Sequence, residues 1–152
     1  MRPFISGFIV ATITATGVAG AAALAGATSG SGITSEPLGQ VWLPQASPAP
    51  GTDLVARRIV IQPGGSTGWH YHDGPVRGLV VAGTLTHPGP DCVAPEYPAG
   101  AVIDEPAGAW NIHAGFNLGA EPVVLYAVYA SPAGKPLVQD APAPACARSS
   151  EP

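Results

Sequence analysis

Glycine and proline punctuate this chain so often that few helices could survive in it: 20 of its 152 residues are Gly and 18 are Pro. Pro lacks a backbone donor and fixes φ, and Gly favours turns, so both break regular elements. Between them lie short segments suited to strands. Leu54 to Gln62 (LVARRIVIQ) is rich in β-branched residues and is stopped by Pro63-Gly64-Gly65. Gln40 to Leu43, Thr67 to Tyr71, Val76 to Val81, Thr84 to Thr86, Ala101 to Asp104, Trp110 to His113 and Val123 to Ala130 are further candidates. Gly83, between two of them, suits a turn or bulge. Short strands at regular spacing with turn residues between them predict an all-β sandwich or barrel.

The first 27 residues have a different character. Met1-Arg2 is positive, an uncharged apolar segment begins at Phe4, and Ala21 to Ala27 offers A-x-A sites. That is the layout of a secretory signal peptide. An uncleaved membrane anchor would need roughly 20 strongly apolar residues, and Thr, Ser and Gly dilute this stretch throughout. Residues 28–39, rich in Gly, Ser and Thr, read as a flexible linker. The barrel is expected over residues 40–140, as one domain, and a Pro-rich tail over 141–152. A secreted, extracellular location follows, without membrane attachment after cleavage.

Cleavage leaves five basic residues (Arg57, Arg58, Arg77, Lys135, Arg148) against ten acidic ones. A net charge near −5 argues against nucleic acid or an anionic membrane surface as partner. The two cysteines, Cys92 and Cys146, read as a disulfide in a secreted chain. Such a bridge would tie the Pro-rich tail onto the barrel. Neither cysteine has a His or Cys at ligand spacing, so a metal or redox role is the poorer alternative.

His70 and His72 flank one residue of a strand candidate. Strand side chains alternate faces, so both imidazoles point the same way, with Cα atoms about 6.6 Å apart. Two such rings can share one metal, and imidazole suits several transition metals.

The setting of these histidines resembles the cupin superfamily. Its first motif is Gly, five residues, His-x-His, three or four residues, Glu, six residues, Gly. Gly64, His70-Tyr71-His72 and Gly83 reproduce the spacing, with Val76 in the Glu position. The second motif is Gly, five residues, Pro-x-Gly, two residues, His, three residues, Asn. Gly100, Pro106-Ala107-Gly108, His113 and Asn117 match it, with four residues rather than two before His113. The similarity spans roughly Val55 to Tyr129, and the chain looks most like small secreted single-domain cupins of actinobacterial type. It implies a cupin β-barrel (a double-stranded β-helix, or jelly roll) and a metal site built on His70, His72 and a third ligand. An insertion of two keeps strand parity, which puts Asn111 and His113 on one face if Trp110 to His113 is extended. His113 is then the better ligand and Asn111 the alternative, because imidazole nitrogen binds transition metals more tightly than an amide oxygen.

A divalent transition metal is therefore implied, with Zn, Fe, Mn, Ni and Cu not distinguished. With Val76 at the Glu position the ligands would all be neutral, leaving the full charge of the ion to polarise water or a carbonyl. Glu96, Asp104 and Glu105 are the nearest acidic candidates for a general base or substitute ligand, although acids before the Pro106 turn are unremarkable. His87, in a Pro/Gly turn region, reads as exposed, as does Arg77. Trp69 and Tyr71 should face away from the histidines into the core, and core packing is also the commoner fate for Trp110. Three functions fit: a metal-dependent enzyme acting on a small molecule, a metal-free module binding a sugar-like ligand, and a structural barrel. Fold alone does not choose among them. A homodimer is compatible by analogy.

Overall fold

The structure is a computed structural model that describes residues 27–44 and 51–148. The signal-peptide segment lies outside the described residues except for residue 27. The same holds for most of the Pro/Ala loop at 44–51 and for the last four residues of the tail. The elements are β1 (Ser31–Leu43), β2 (Thr52–Ser66), β3 (His70–Tyr71), β4 (Val76–Ala82), β5 (Thr84–Thr86), β6 (Glu96–Pro98), β7 (Val102–Glu105), β8 (Val123–Pro132), β9 (Gln139–Asp140) and a single turn of helix, α1 (Ala145–Arg148). The all-β expectation is met.

Five strands form one antiparallel sheet in the order β1-β2-β8-β4-β7. Its central strands alternate cleanly. Val76, Gly78 and Val80 of β4 are buried and Arg77, Leu79 and Val81 exposed, while Val123, Leu125, Ala127 and Tyr129 of β8 point inward. The other layer is assembled from pieces, the two-stranded pairs β3-β9 and β5-β6. Single bridges from Phe116 to Ser66 and to Thr86, and from His113 to His70, lay the 113–116 segment against both. The core between the layers includes Ile59, Ile61, Val80, Leu85, Ile103 and Val123. Fully burying one aliphatic side chain of this size contributes about 1.5–3 kcal/mol.

Several sequence expectations are corrected. The segment expected as a linker, residues 28–39, supplies most of β1, which pairs with β2 from Ser31↔Ser66 to Leu43↔Thr52. Its polar side chains are mostly exposed, and only Ile33 packs on the core. The open edge of β2 orders it through backbone bonds, which propensity does not report. Register shifts between Ser31 and Ile33 and between Pro37 and Gly39 absorb its irregular composition. The ordered fold therefore starts at β1, ahead of residue 40. Trp110 to His113 is not a strand, so strand parity does not relate Asn111 to His113; only the bridge at His113 is β-like. The short strands β6 and β9 carry no hydrophobic alternation and are additional.

Two glycines are required where they stand. Gly83 has φ 72°, and a Cβ there would meet the Pro122 carbonyl oxygen at 2.8 Å, so the β4–β5 corner admits only Gly. Gly68, just before His70, has φ 73° and would place a Cβ 2.2 Å from the Thr28 oxygen. Asn117, fully buried, clamps the end of β2: its amide nitrogen donates to the Ile61 and Glu121 oxygens at 2.8 and 2.9 Å, and its side-chain oxygen accepts from Gly119 N at 3.0 Å. The Asn of the second motif is thus structural.

Cys92 and Cys146 form the expected disulfide, with Cα atoms 6.2 Å apart. It fastens α1 to the turn at residues 89–93, where Cys92 holds φ 60°. Closing a loop of 54 residues is worth about 4 kcal/mol in the chain-entropy description. The Cys92→Ala, Cys146→Ala pair should lose stability of that order, read as a lower denaturation midpoint that reducing agent reproduces in the unsubstituted chain. Asn117→Ala should cost about 2 kcal/mol in urea denaturation, because the buried Ile61 carbonyl and the part-buried Glu121 carbonyl lose their donor.

Candidate metal centre

Three histidines come together through backbone pairing. His70 N donates to His113 O and His113 N to His70 O, both at 2.9 Å, so the rings of these two residues sit side by side with centroids 4.5 Å apart. His72, two residues beyond His70, lies on the same face, 4.9 Å from the His70 ring and 5.1 Å from that of His113. All three are buried, at 7, 2 and 2 % exposure. Their ligating atoms lie within 4.8 Å of one another.

Each ring is held by its Nδ1. The partners are Gly68 O at 2.9 Å for His70, Leu137 O at 2.6 Å for His72 and Asn111 O at 2.8 Å for His113. A carbonyl only accepts, so Nδ1 carries a proton in all three, and Nε2 of each ring is an acceptor whenever the ring is neutral. Two of these, on His72 and His113, stand 3.3 Å apart. In neutral rings these are facing lone pairs, which either a proton or a metal ion between them would satisfy. This is the outer-shell arrangement that prepares imidazoles to ligate a metal.

A carboxylate completes the cluster. Glu105 Oε2 lies 3.0 Å from His72 Nε2 and 3.5 Å from His113 Nε2. Glu105 is the register partner of Val76, the position where the first motif has its Glu. Cross-strand neighbours share a face, so the acid comes from β7 instead of β4 and still reaches the same interior. Oε1 of the same carboxylate is 3.0 Å from Nε2 of His87, whose side chain is 12 % exposed. His87 is therefore not the exposed residue expected, and His87, Glu105 and His113 form a second group able to hold an ion. Glu105 is thus one of the three acidic candidates named from the sequence, whereas His87 was missed, although it lies two residues after buried Leu85.

Asn111 acts otherwise than expected. Its amide nitrogen donates to Pro106 O at 2.9 Å, and it serves the site through the backbone oxygen that holds His113. Trp69 is buried as expected, Trp110 is 70 % exposed, and Arg77 and Asp104 pair on the surface at 2.6 Å.

The electrostatics follow from this crowding. Burial, helped by the neighbouring His113, pulls the pKa of His70 down to about 4, so this ring stays neutral. Burial alone would raise the Glu105 carboxyl, but hydrogen bonds from His113, His72 and His87 overcome it and hold it well below the usual range. Burial likewise opposes a charge on His113, yet the Glu105 carboxylate outweighs it and raises that histidine above its usual value. The Tyr129 phenol, whose ring meets His72 edge-on at 5.5 Å, is pushed by burial and then by Glu105 up to about 12 and stays neutral. On the inner side of the cluster is a chamber of about 50 Å³ lined by Ile59, Leu85, Ile103, Leu125 and Tyr129. On the outer side is an open mouth of about 260 Å³ bordered by Asp91, Tyr97, Asp104 and Asn111. His87 and Glu105 line both.

No protein-family model matches this chain, and no curated protein matches it by sequence. Solved structures do match. The polyketide cyclase RemF from Streptomyces resistomycificus is 21 % identical with a TM-score of 0.55, covering 73 % of this chain and 72 % of its own. A Cupin 2 conserved barrel domain protein from Salinispora arenicola is 23 % identical with a TM-score of 0.51, over 65 % of this chain and 76 % of its own. An uncharacterised protein with a double-stranded β-helix domain from Klebsiella pneumoniae is 19 % identical with a TM-score of 0.51, over 65 % of this chain and 90 % of its own. At these identities the likeness is one of fold, and the fold of this chain is that of the cupin double-stranded β-helix domains.

Proposed function

We propose that the chain binds one divalent transition-metal ion through His70, His72, His113 and Glu105, and presents it to a small molecule arriving by the mouth. One observation carries this reading: three imidazoles whose Nδ1 atoms are committed to backbone carbonyls converge with a carboxylate oxygen, so each neutral ring turns Nε2 toward one place. Among Zn, Fe, Mn, Ni and Cu the donor set suits several and selects none. When bound, such an ion polarises a carbonyl or lowers the pKa of a water. Glu105 reduces its net charge, which neutral histidines alone would not.

The chain's own residues supply the rest. The backbone carbonyls of Gly68, Leu137 and Asn111 fix the ring orientations, and the apolar chamber keeps the inner side dry. The mouth is bordered by Asp91, Asp104 and Glu105, with no Lys or Arg among its described lining residues. Such a rim disfavours anions and admits an uncharged or cationic ligand. A structural neighbour is a polyketide cyclase, which supports a small organic molecule as the ligand class. The Cys92–Cys146 bridge and the apolar, A-x-A-ending segment at the start of the chain support secretion as a small single-domain cupin.

Elemental analysis of the purified protein should find one transition metal per chain, and the His70→Ala, His72→Ala pair should find none. A metal-replete preparation without bound metal would sink the proposal. Glu105→Gln should weaken binding by at least about 10-fold. The pH dependence has a definite sign. Proton and metal compete for the same Nε2, and His113 is held above the usual histidine value of 6.5. Affinity should therefore be full above that raised pKa and fall as pH drops through it, earlier than for an ordinary histidine. Metal titrations between about pH 8 and pH 5 would check this.

A further inference from the structure

The two oxygens of Glu105 face different partners. Oε2 looks onto His72 and His113, whereas Oε1 is 3.0 Å from Nε2 of His87. An ionised carboxylate only accepts, so His87 carries its proton on Nε2. The other three rings differ in committing Nδ1 to backbone carbonyls, which leaves Nε2 as the atom that would face a metal ion in place of a proton. His87 also packs on the His113 ring with centroids 5.0 Å apart and meets Tyr97 edge-on at 6.0 Å, so its ring is confined from two sides. It lines both the inner chamber and the mouth.

We propose that His87 is a positioning residue: its Nε2–H reserves Oε1 of Glu105, so that the carboxylate meets the metal through Oε2 alone. This rests on the metal-site reading above. A carboxylate released from His87 is free to turn both oxygens onto the ion, which fills the position that an incoming molecule needs. His87 lines both the chamber and the mouth, so it stands on the side of Glu105 from which a ligand would enter. Outer partners of metal-bound carboxylates commonly act this way.

The test compares the unsubstituted protein with His87→Ala and His87→Gln, each loaded with Co²⁺, whose visible absorption weakens as coordination number rises. Gln places an amide N–H close to where Nε2 of histidine stands, so it should restore the bond to Oε1. All three should bind one Co²⁺. His87→Ala should show weaker visible bands and an affinity altered by about 10-fold or more. His87→Gln should match the unsubstituted spectrum. An unaltered spectrum and affinity in His87→Ala would overturn the role of His87 while leaving the metal site standing. Loss of the ion in both variants, with far-ultraviolet dichroism unchanged, would also overturn it by making His87 a ligand. Failure of the unsubstituted protein to take up Co²⁺ would instead remove the metal reading itself.

Discussion

An imidazole has two nitrogens, and this fold commits one of them on each of three histidines. The carbonyls of Gly68, Leu137 and Asn111 come from three separate stretches of chain, yet each accepts an Nδ1 proton and turns the opposite nitrogen inward. The site therefore depends on backbone placement more than on its own side chains. Gly68 is tied to its neighbourhood by a backbone that no other residue could follow, and Leu137 belongs to the connection that brings β9 alongside β3. Loss of any one carbonyl would let its ring choose the other tautomer and withdraw a lone pair.

Concentrating acceptors in this way is unfavourable for folding. Buried polar groups cost free energy unless they are paired, and the Nε2 atoms of His72 and His113 face one another at 3.3 Å. The molecule offsets this with a well-alternated sheet on one side and the covalent tie between Cys92 and Cys146 on the other. The carboxylate of Glu105 then does the local work, drawing positive charge into the cluster against the penalty of burial. A divalent ion in the same place would be met by three oriented imidazoles and a carboxylate oxygen at once, which is the physical ground of the metal proposal.

The strands with strong alternation were legible from the sequence because a half-buried sheet imposes a period of two. β2, β4 and β8 fall where Leu54 to Gln62, Val76 to Val81 and Val123 to Ala130 predict them. The His-x-His spacing likewise located two of the three convergent rings. β1 was not legible, since a strand ordered by its neighbour's free edge needs no hydrophobic pattern of its own. The acid was legible only as one of three candidates: Val76 holds the motif position, and the carboxylate that reaches the site belongs to its register partner Glu105. Linear spacing cannot express a substitution between strands. Residue parity within β7 and around Leu85 could have pointed Glu105 and His87 inward, but only once those segments were known to be extended.

Cross-ladder relocation also changes how the carboxylate can behave. On β4, a Glu at position 76 would project from a central strand, flanked by β8 and β7. On β7 it projects from the sheet's edge strand, at the last residue before Pro106 turns the chain toward the mouth. An acid there can be reached by a residue from the opposite layer, and His87, just past β5, is the one that reaches it. The relocation therefore couples the ligand to the rim in a way the motif position would not. The same turn continues through Gly108, whose N donates to His72 O at 2.8 Å, and on to Asn111, which holds His113. A single connection, Glu105 to His113, thus supplies the carboxylate, one imidazole and the carbonyl that orients it. Any movement of that connection would act on the metal ligands and the mouth together.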